Sequence, residues 1–485
     1  MELSSLLKDV HHKVEQGGDV EISSITLDSG AVKPGAMFIC IRGLNVDGHG
    51  FIDAAVQAGA VAVVVDGQFC GSLPSGVAVV RVENTRQAMA HIAANFYDNP
   101  AKKLRFVGVT GTNGKTTTTY FIEEILRHCG RVTGLIGTVG AKVNNRPLDF
   151  AFATSTTPDP LELHAILAKM VRMGVQDVVM EVSSHALALY KMEGLVFDVG
   201  VFTNLTQDHL DFHGTMENYR LAKAQLFAQS TSAVVNIDDE SASTMIQFLL
   251  QPSYLTYGIE NNADLQAVHI EYQPQGSGFE VGSERFFLPI NGRFNIYNAL
   301  AAIGVAKLLG APIDAICAAV AKLSGVPGRI QAVPNDRGVH VLVDYAHSPD
   351  GLKNIIAAVR DFTAGRVITL FGCGGDRDRG KRPIMGTIAG ELSDYCILTS
   401  DNPRIENPAD ILADIECGTK DTGTPYEITE NRREAIFKGV KMLKPGDALI
   451  IAGKGHEDYQ IIGTEKLSFS DYETVVEALR IDYGA

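Results

Sequence analysis

Apolar and polar positions along the chain alternate between two patterns. Short runs rich in β-branched residues, AMFICI (36–41), AVAVVV (60–65), LRFVGVT (104–110), DVVMEV (177–182), DVGVFTN (198–204) and AVVNI (233–237), have the length and composition of buried strands. Between them FIDAAVQAGA (51–60), TTTYFIEEILRHCG (117–130), LELHAILAKMVRMG (161–174) and NALAAIGVAKLLG (298–310) predict helices. The alternation resumes in HVLVDYA, RVITLFGCGGD, DYCILTSD and DALIIAGKG and closes on the helical stretch DYETVVEALR (471–480). Strand, loop and helix repeated in this way predict an α/β fold of doubly wound parallel sheets, whose ligands collect at the carboxyl ends of the strands. One segment, IEYQPQGSGFEVGSERFFLPI (270–290), alternates residue by residue and reads as a β insert.

Length adds a division into units. A chain of 485 residues exceeds one hydrophobic core and predicts about three domains. The polar, proline-marked joint Tyr97-Asp98-Asn99-Pro100 and the Gly328-Arg329 step place them at 1–98, 99–330 and 331–485. With 45% hydrophobic and 20% charged residues the composition is that of a soluble globular protein. Forty-two Lys and Arg against 57 Asp and Glu leave a net charge of −15, which disfavours nonspecific binding to nucleic acid or anionic lipid. Local groups must therefore hold any anionic ligand. No apolar run reaches the length of a membrane span and the first residues lack the pattern of a secretion signal, so a cytoplasmic protein is expected. Seven scattered cysteines, none in CxxC spacing, argue against disulfides and structural zinc.

The sharpest chemical signal is GVTGTNGKTTTT (108–119). A strand, a glycine-bearing loop, a lysine and two threonines opening a helix form a phosphate cradle. Backbone N–H groups and the helix N-terminus face the anion, Lys115 supplies a point charge, and the Thr116 hydroxyl can ligate Mg²⁺. The stretch departs from the general Walker A pattern, because Val109 stands where that pattern has glycine. MEVSSH offers Glu181, Ser183, Ser184 and His185, and TNLTQDHLDFHG offers Asn204, Asp208, His209, Asp211 and His213. Carboxylate and imidazole beside a nucleotide phosphate suit a second divalent cation, although Asp208 and Asp211 also suit turns or caps. Lys223 lies on a predicted helix in NYRLAKAQLF, where spacing alone favours a snorkelling surface residue.

The motifs GTNGKTT, EVSSH, FTNLTQDHLDFHG, RLAKAQLF, RFNIYNALAA, GVPGR, VDYAHSPD, GCGGDRDRGKRP, SDNPR and AGKGHE stand in the order seen in the Mur ligases. The chain resembles that family over all three predicted regions. The resemblance implies a central P-loop-type ATP-binding domain, an N-terminal domain for the UDP-N-acetylmuramoyl substrate, and a C-terminal Rossmann-like domain for the incoming amino acid. It implies ATP- and Mg²⁺-dependent amide formation in peptidoglycan precursor synthesis: the D-glutamate γ-carboxylate of UDP-N-acetylmuramoyl-L-alanyl-D-glutamate is phosphorylated, and an amine attacks the acyl phosphate.

By the same resemblance Gly111, Thr112, Asn113, Gly114, Lys115, Thr116 and Thr117 hold the ATP phosphates, and Thr116, Glu181 and His209 hold magnesium. Lys223 matches a lysine carried as a carbamate, which makes it an anionic oxygen ligand for Mg²⁺. Asn295 and Arg329 match adenine-side and phosphate-side contacts, while Asp344 and His347 reach the nucleotide when the third domain closes. Leu27, Ser29, Leu44, Asn45 and Val46 match the uridine nucleotide site, and Thr156, Thr157, Ser183 and Lys191 the muramoyl dipeptide site. Gly30 stands where many members carry arginine, and Leu189 and Lys191 stand where some members carry glutamine and arginine.

SDNPR is the form the resemblance associates with meso-diaminopimelate, with Arg377, Asp401, Asn402, Pro403, Arg404, Gly453 and Glu457 as its contacts. The chemistry agrees, because diaminopimelate differs from lysine by a distal carboxylate that a guanidinium pairs with in a fork geometry. Glu457 suits the distal ammonium. The alternatives are a lysine-adding homologue, a folylpolyglutamate-synthetase-like ligase, a simple phosphoryl-transfer NTPase and a non-catalytic scaffold relative. The partners expected are the two small-molecule substrates, with no nucleic acid and no membrane insertion, and the chain is expected to act as a monomer.

Overall fold

A computed structural model describes residues 1–43, 46–150, 156–251, 253–273, 276–326 and 328–481. Three larger sheets follow one another along the chain. The first has five strands in the spatial order His12–Gln16, Ala78–Val82, Ala60–Asp66, Ala36–Ile39, Ser24–Thr26. All its pairings are parallel except the one between His12–Gln16 and Ala78–Val82. Helix Thr85–Phe96 closes this unit, and the chain then turns sharply at Asp98 and Asn99, both with positive φ.

The second sheet has eleven strands. Its parallel core runs in the order Leu265–Gln273, Tyr254–Gly258, Ser230–Asn236, Phe197–Phe202, Arg105–Thr110, Asp177–Glu181, Thr133–Gly137. Neighbouring residues of Arg105–Thr110 face opposite cores: Val107 and Val109 pack into one, Phe106 into the other. Both faces are thus covered, which is why these strands read as unbroken apolar runs rather than as alternation. The segment read as a β insert forms Gly276–Val281, paired antiparallel to Leu265–Gln273, and Glu284–Leu288, paired antiparallel to Gly276–Val281. It is not a separate unit, for Leu265–Gln273 pairs parallel with Tyr254–Gly258 and so extends the main sheet.

The third sheet orders Gln331–Ala332, His340–Asp344, Ala448–Ala452, Val367–Phe371, Tyr395–Leu398, Tyr426–Ile428, and only its first pairing is antiparallel. Alternate residues again divide between two cores, Ile368 and Leu370 against Val367 and Phe371. Every strand that matters for chemistry in the second and third sheets runs in the same sense within its sheet. Their carboxyl-end loops therefore collect on one edge of each sheet.

Candidate active site

Those two loop edges face each other across a cavity of about 1360 Å³. From the second sheet come the loops after Arg105–Thr110, Asp177–Glu181 and Phe197–Phe202, which are neighbouring strands. From the third come the loops after His340–Asp344, Val367–Phe371, Tyr395–Leu398 and Ala448–Ala452. A direct hydrogen bond joins the sides, with Asn113 Nδ2 donating to Asp350 Oδ2 at 2.8 Å.

The phosphate loop is built locally. Gly114 has φ +84° and caps helix Lys115–His128; a Cβ there would lie 2.6 Å from Asn298 Oδ1. Only glycine meets both conditions. Thr203 Oγ1 donates to Asn113 O at 2.6 Å, and Asn113 N donates to Asn204 Oδ1 at 2.9 Å, so the neighbouring strand's loop fixes the cradle. Lys115 Nζ donates to the carbonyls of Gly111 and Thr112, both at 2.8 Å. Burial lowers its pKa. An anion in the cradle would offer that ammonium stronger, charge-assisted partners than these carbonyls.

Glu181 is 1% exposed and is the polar hub of the middle domain. Its Oε2 accepts from Thr116 Oγ1 at 3.0 Å and Thr138 Oγ1 at 3.1 Å, and its Oε1 from Thr138 N at 2.9 Å. Arg329 Nη2 donates to Thr116 Oγ1 at 3.4 Å. Thr157 Oγ1 and Ser183 Oγ lie 3.2 Å apart beside it, and Thr138 Oγ1 lies 3.3 Å from Thr156 Oγ1. Lys191 is paired with Asp159 at 2.9 Å, the residue that caps helix Pro160–Arg172.

Lys223 departs from the solvent-facing reading of its spacing, for it is 1% exposed. Its Nζ lies 4.4 Å from the Tyr219 ring centroid and makes no hydrogen bond among the described residues. Burial, aided by the nearby Lys115 charge, drives its pKa well below the ordinary lysine value. Tyr219 in turn hydrogen bonds Thr112 Oγ1 at 3.2 Å. His209 adopts φ 55°, a left-handed conformation that costs a non-glycine residue roughly 1–2 kcal/mol. It stands 4.9 Å from the His185 ring, and burial lowers its pKa to about 4. The imidazole is therefore neutral near pH 7 and able to act as a ligand.

On the third-domain side Arg404 also has a left-handed φ, 53°. Its N–H donates to Ile461 O at 3.1 Å and its carbonyl accepts from Gly463 N at 2.7 Å, which together hold that conformation. The guanidinium donates to Gly375 O at 2.7 Å through Nη1. Arg377, Asp401, Asn402, Gly453 and Glu457 join Arg404 in the cavity wall, as do Asp344 and His347. Gly453 has φ +118°, and a Cβ there would come within 2.4 Å of Asp401 Oδ2. Behind these loops lies a fully buried ion pair, Arg432 to Asp471 at 2.7 Å. Arg432 also donates to the carbonyls of Ala452 and Ser400, tying the two binding loops together.

The cavity thus gathers Thr112 to Thr117, Thr156, Thr157, Glu181, Ser183, Lys191, His209, Lys223 and Arg329 with the third-domain residues just named. Asn295 and Pro403 do not line it. Asn295 is turned inward, donating to Asn291 O at 2.9 Å, while Phe294 and Tyr297 of the same helix face the cavity. Leu27, Ser29 and Val46 lie outside it in the first domain, where Leu27 and Val46 are exposed and Ser29 opens a short 3₁₀ turn capped by Asp28. Leu44 and Asn45 fall outside the described residues. Sequence reasoning missed Thr138, Tyr219, Lys454 and Asp350. The available signal was position: Thr138 directly follows a strand, and Lys454 and Asp350 sit inside motifs already marked.

A phosphate-type loop on the edge of one parallel sheet thus faces a charged edge of a second across one cavity, an arrangement suited to nucleotide-dependent chemistry. Family models match accordingly: the Mur ligase catalytic domain at residues 21–97, the Mur ligase middle domain at 109–306 and the Mur ligase glutamate ligase domain at 328–455. The chain belongs to the Mur ligase family. It is 46% identical over 484 residues, 99% of each chain, to a UDP-N-acetylmuramoyl-L-alanyl-D-glutamate--2,6-diaminopimelate ligase of Caldanaerobacter subterraneus subsp. tengcongensis. A protein of the same description from Alkaliphilus metalliredigens is 45% identical, covering 97% of this chain and 96% of its own. A solved structure of a ligase so described superposes with a TM-score of 0.65 at 33% identity, covering 95% of both chains.

Proposed function

We propose that this chain joins meso-2,6-diaminopimelate to the D-glutamate γ-carboxyl of UDP-N-acetylmuramoyl-L-alanyl-D-glutamate at the expense of ATP, as a cytoplasmic monomer. The observation that carries this reading is the single cavity that places the phosphate loop opposite Arg404, Arg377 and Glu457. Residues 1–98 bind the uridine nucleotide through Leu27, Ser29, Leu44, Asn45 and Val46, residues 99–330 bind ATP, and residues 331–485 deliver the amine.

The γ-phosphoryl group passes to the substrate carboxylate, releasing ADP; the amine then attacks the acyl carbon, loses a proton, and phosphate leaves. Lys115 and the N–H groups from Gly111 to Thr117 bind the phosphates, and Arg329, beside Thr116, stabilises charge on the transferring group. Asn295 orders the adenine-side helix, and Asp344 and His347 contact the nucleotide from the third domain. Thr156, Thr157, Ser183 and Lys191 orient the muramoyl dipeptide. Arg404 and Arg377 take the distal carboxylate of diaminopimelate and Glu457 its ammonium, with Asp401, Asn402, Pro403 and Gly453 shaping that pocket. Enclosure between two domains keeps water from the acyl phosphate.

The donor set fits Mg²⁺, a hard cation that takes oxygen ligands beside phosphate. Thr116 and Glu181, 3.0 Å apart, would hold one ion, and His209 with Lys223 as its carbamate a second. When bound, magnesium supplies neutralisation of the phosphoryl charge. Lys223 supports the carbamate assignment because carbamylation requires a neutral amine, and this amine is buried with a lowered pKa. The test is ADP release with the UDP-muramoyl dipeptide and either amine. Release much faster with meso-diaminopimelate than with L-lysine is expected; equal rates would remove the specificity assignment, and release independent of any amine would remove the ligase.

A further inference from the structure

Lys454 lies between Gly453 and Gly455 in the loop after strand Ala448–Ala452 and is fully buried. A lysine without solvent is costly unless its ammonium is paired. Here Nζ donates to Glu457 Oε2 at 2.9 Å and to Asn402 Oδ1 at 3.1 Å. Asn402 Nδ2 donates to the same Glu457 oxygen at 2.9 Å, and Asn402 Oδ1 also accepts from Ile461 N at 2.9 Å. One oxygen of Glu457 is thus claimed from two sides, inside the wall of the amine pocket.

From this geometry we infer that Lys454 is a specificity residue acting through Glu457, and the inference rests on the reading of this pocket as the diaminopimelate site. Its charge cancels that of Glu457 before any substrate arrives. The carboxylate then serves as an oriented acceptor rather than as a surplus negative charge. A zwitterionic end group, ammonium plus carboxylate, loses nothing by this, because its carboxylate is taken by Arg404. A lone terminal ammonium, as in lysine, finds the Glu457 carboxylate already paired. Arg404 selects for the distal carboxylate and Lys454 selects against a cation that lacks one.

The experiment measures KM and kcat for meso-diaminopimelate and L-lysine in wild type, Lys454→Met, Glu457→Gln and the double variant. In the wild-type background Lys454→Met should raise the diaminopimelate KM about tenfold or more, through lost orientation of Glu457. Its kcat should stay within about threefold, KM for ATP and the UDP-muramoyl dipeptide within about twofold, and the diaminopimelate-to-lysine ratio of kcat/KM should fall at least about tenfold. In the Glu457→Gln background the sign should reverse: Lys454, left without its counter-charge beside the incoming ammonium, repels it, so adding Lys454→Met should lower the diaminopimelate KM. If Lys454→Met does not fold alone, the comparison of Glu457→Gln with the charge-balanced double variant still decides. A diaminopimelate KM that Lys454→Met raises in both backgrounds marks Lys454 as merely structural and overturns the inference, as does no change in either. A wild-type enzyme indifferent to the choice of amine instead removes the underlying reading.

Discussion

Replacing Arg404 by methionine isolates one interaction. The backbone at 404 is held by the bonds to Ile461 O and from Gly463 N, and arginine and methionine bear the same left-handed cost, so the loop should persist. What leaves is the guanidinium, of which Nη1 supports Gly375 O while the rest fronts the cavity. A fork of charge-assisted hydrogen bonds to a carboxylate contributes roughly 3 kcal/mol, about a 150-fold change in kcat/KM. L-lysine has no distal carboxylate, and its kcat/KM should move less than about threefold. Selectivity should therefore collapse by about two orders of magnitude, with almost all of the loss on the diaminopimelate side. The assay is coupled ADP release at saturating ATP and UDP-muramoyl dipeptide with each amine varied in turn. Equal losses for the two amines would show that Arg404 shapes the loop rather than reading the carboxylate.

Two further outcomes follow from burial. Lys223→Ala should lower kcat by more than about a hundredfold, the scale of removing a group that stabilises transition-state charge. Added short-chain carboxylates should restore part of that rate, whereas normal activity in the variant would exclude a required carbamate. His164, 3% exposed and with no hydrogen-bond partner for Nδ1 among the described residues, has its pKa lowered from 6.5 to about 4 by burial, with a smaller push from His91. Between these values the unfolded chain binds the proton that the folded one refuses. Its stability contribution is thus complete above pH 6.5 and is lost as pH falls towards 4. At pH 5 the loss is about 2 kcal/mol, so His164→Leu should gain melting temperature relative to wild type at pH 5 but not at pH 8; parallel curves would refute the assignment.

The phosphate loop was legible because its parts are contiguous: strand, Gly114, Lys115 and Thr116 are ordered by the backbone itself. Apolar periodicity was likewise enough for the parallel sheets, since both faces of each are buried. Periodicity could not decide where the strands of 265–288 attach, because alternation describes a strand and not its neighbour. Nor could it choose the face of helix Arg293–Leu308, on which Asn295 turns inward and Tyr297 outward.

The case of Lys223 marks the boundary. Spacing puts it on a helix, and a lysine on a helix is ordinarily solvated. Tyr219, one turn earlier on the same helix, covers its Nζ, and the loops that carry Thr112 and His209 pack on Tyr219 from two other stretches of chain. Arg404 follows the same rule, with Gly375 29 residues away, as does the second partner of Lys454, Asn402, 52 residues away. The amino-acid sequence by itself determined the family, the cradle for phosphate and the kinds of side chain available. Only the tertiary structure decided which of those side chains lose their water and which charge each then faces, because desolvation and Coulomb attraction depend on distance through space and not along the chain.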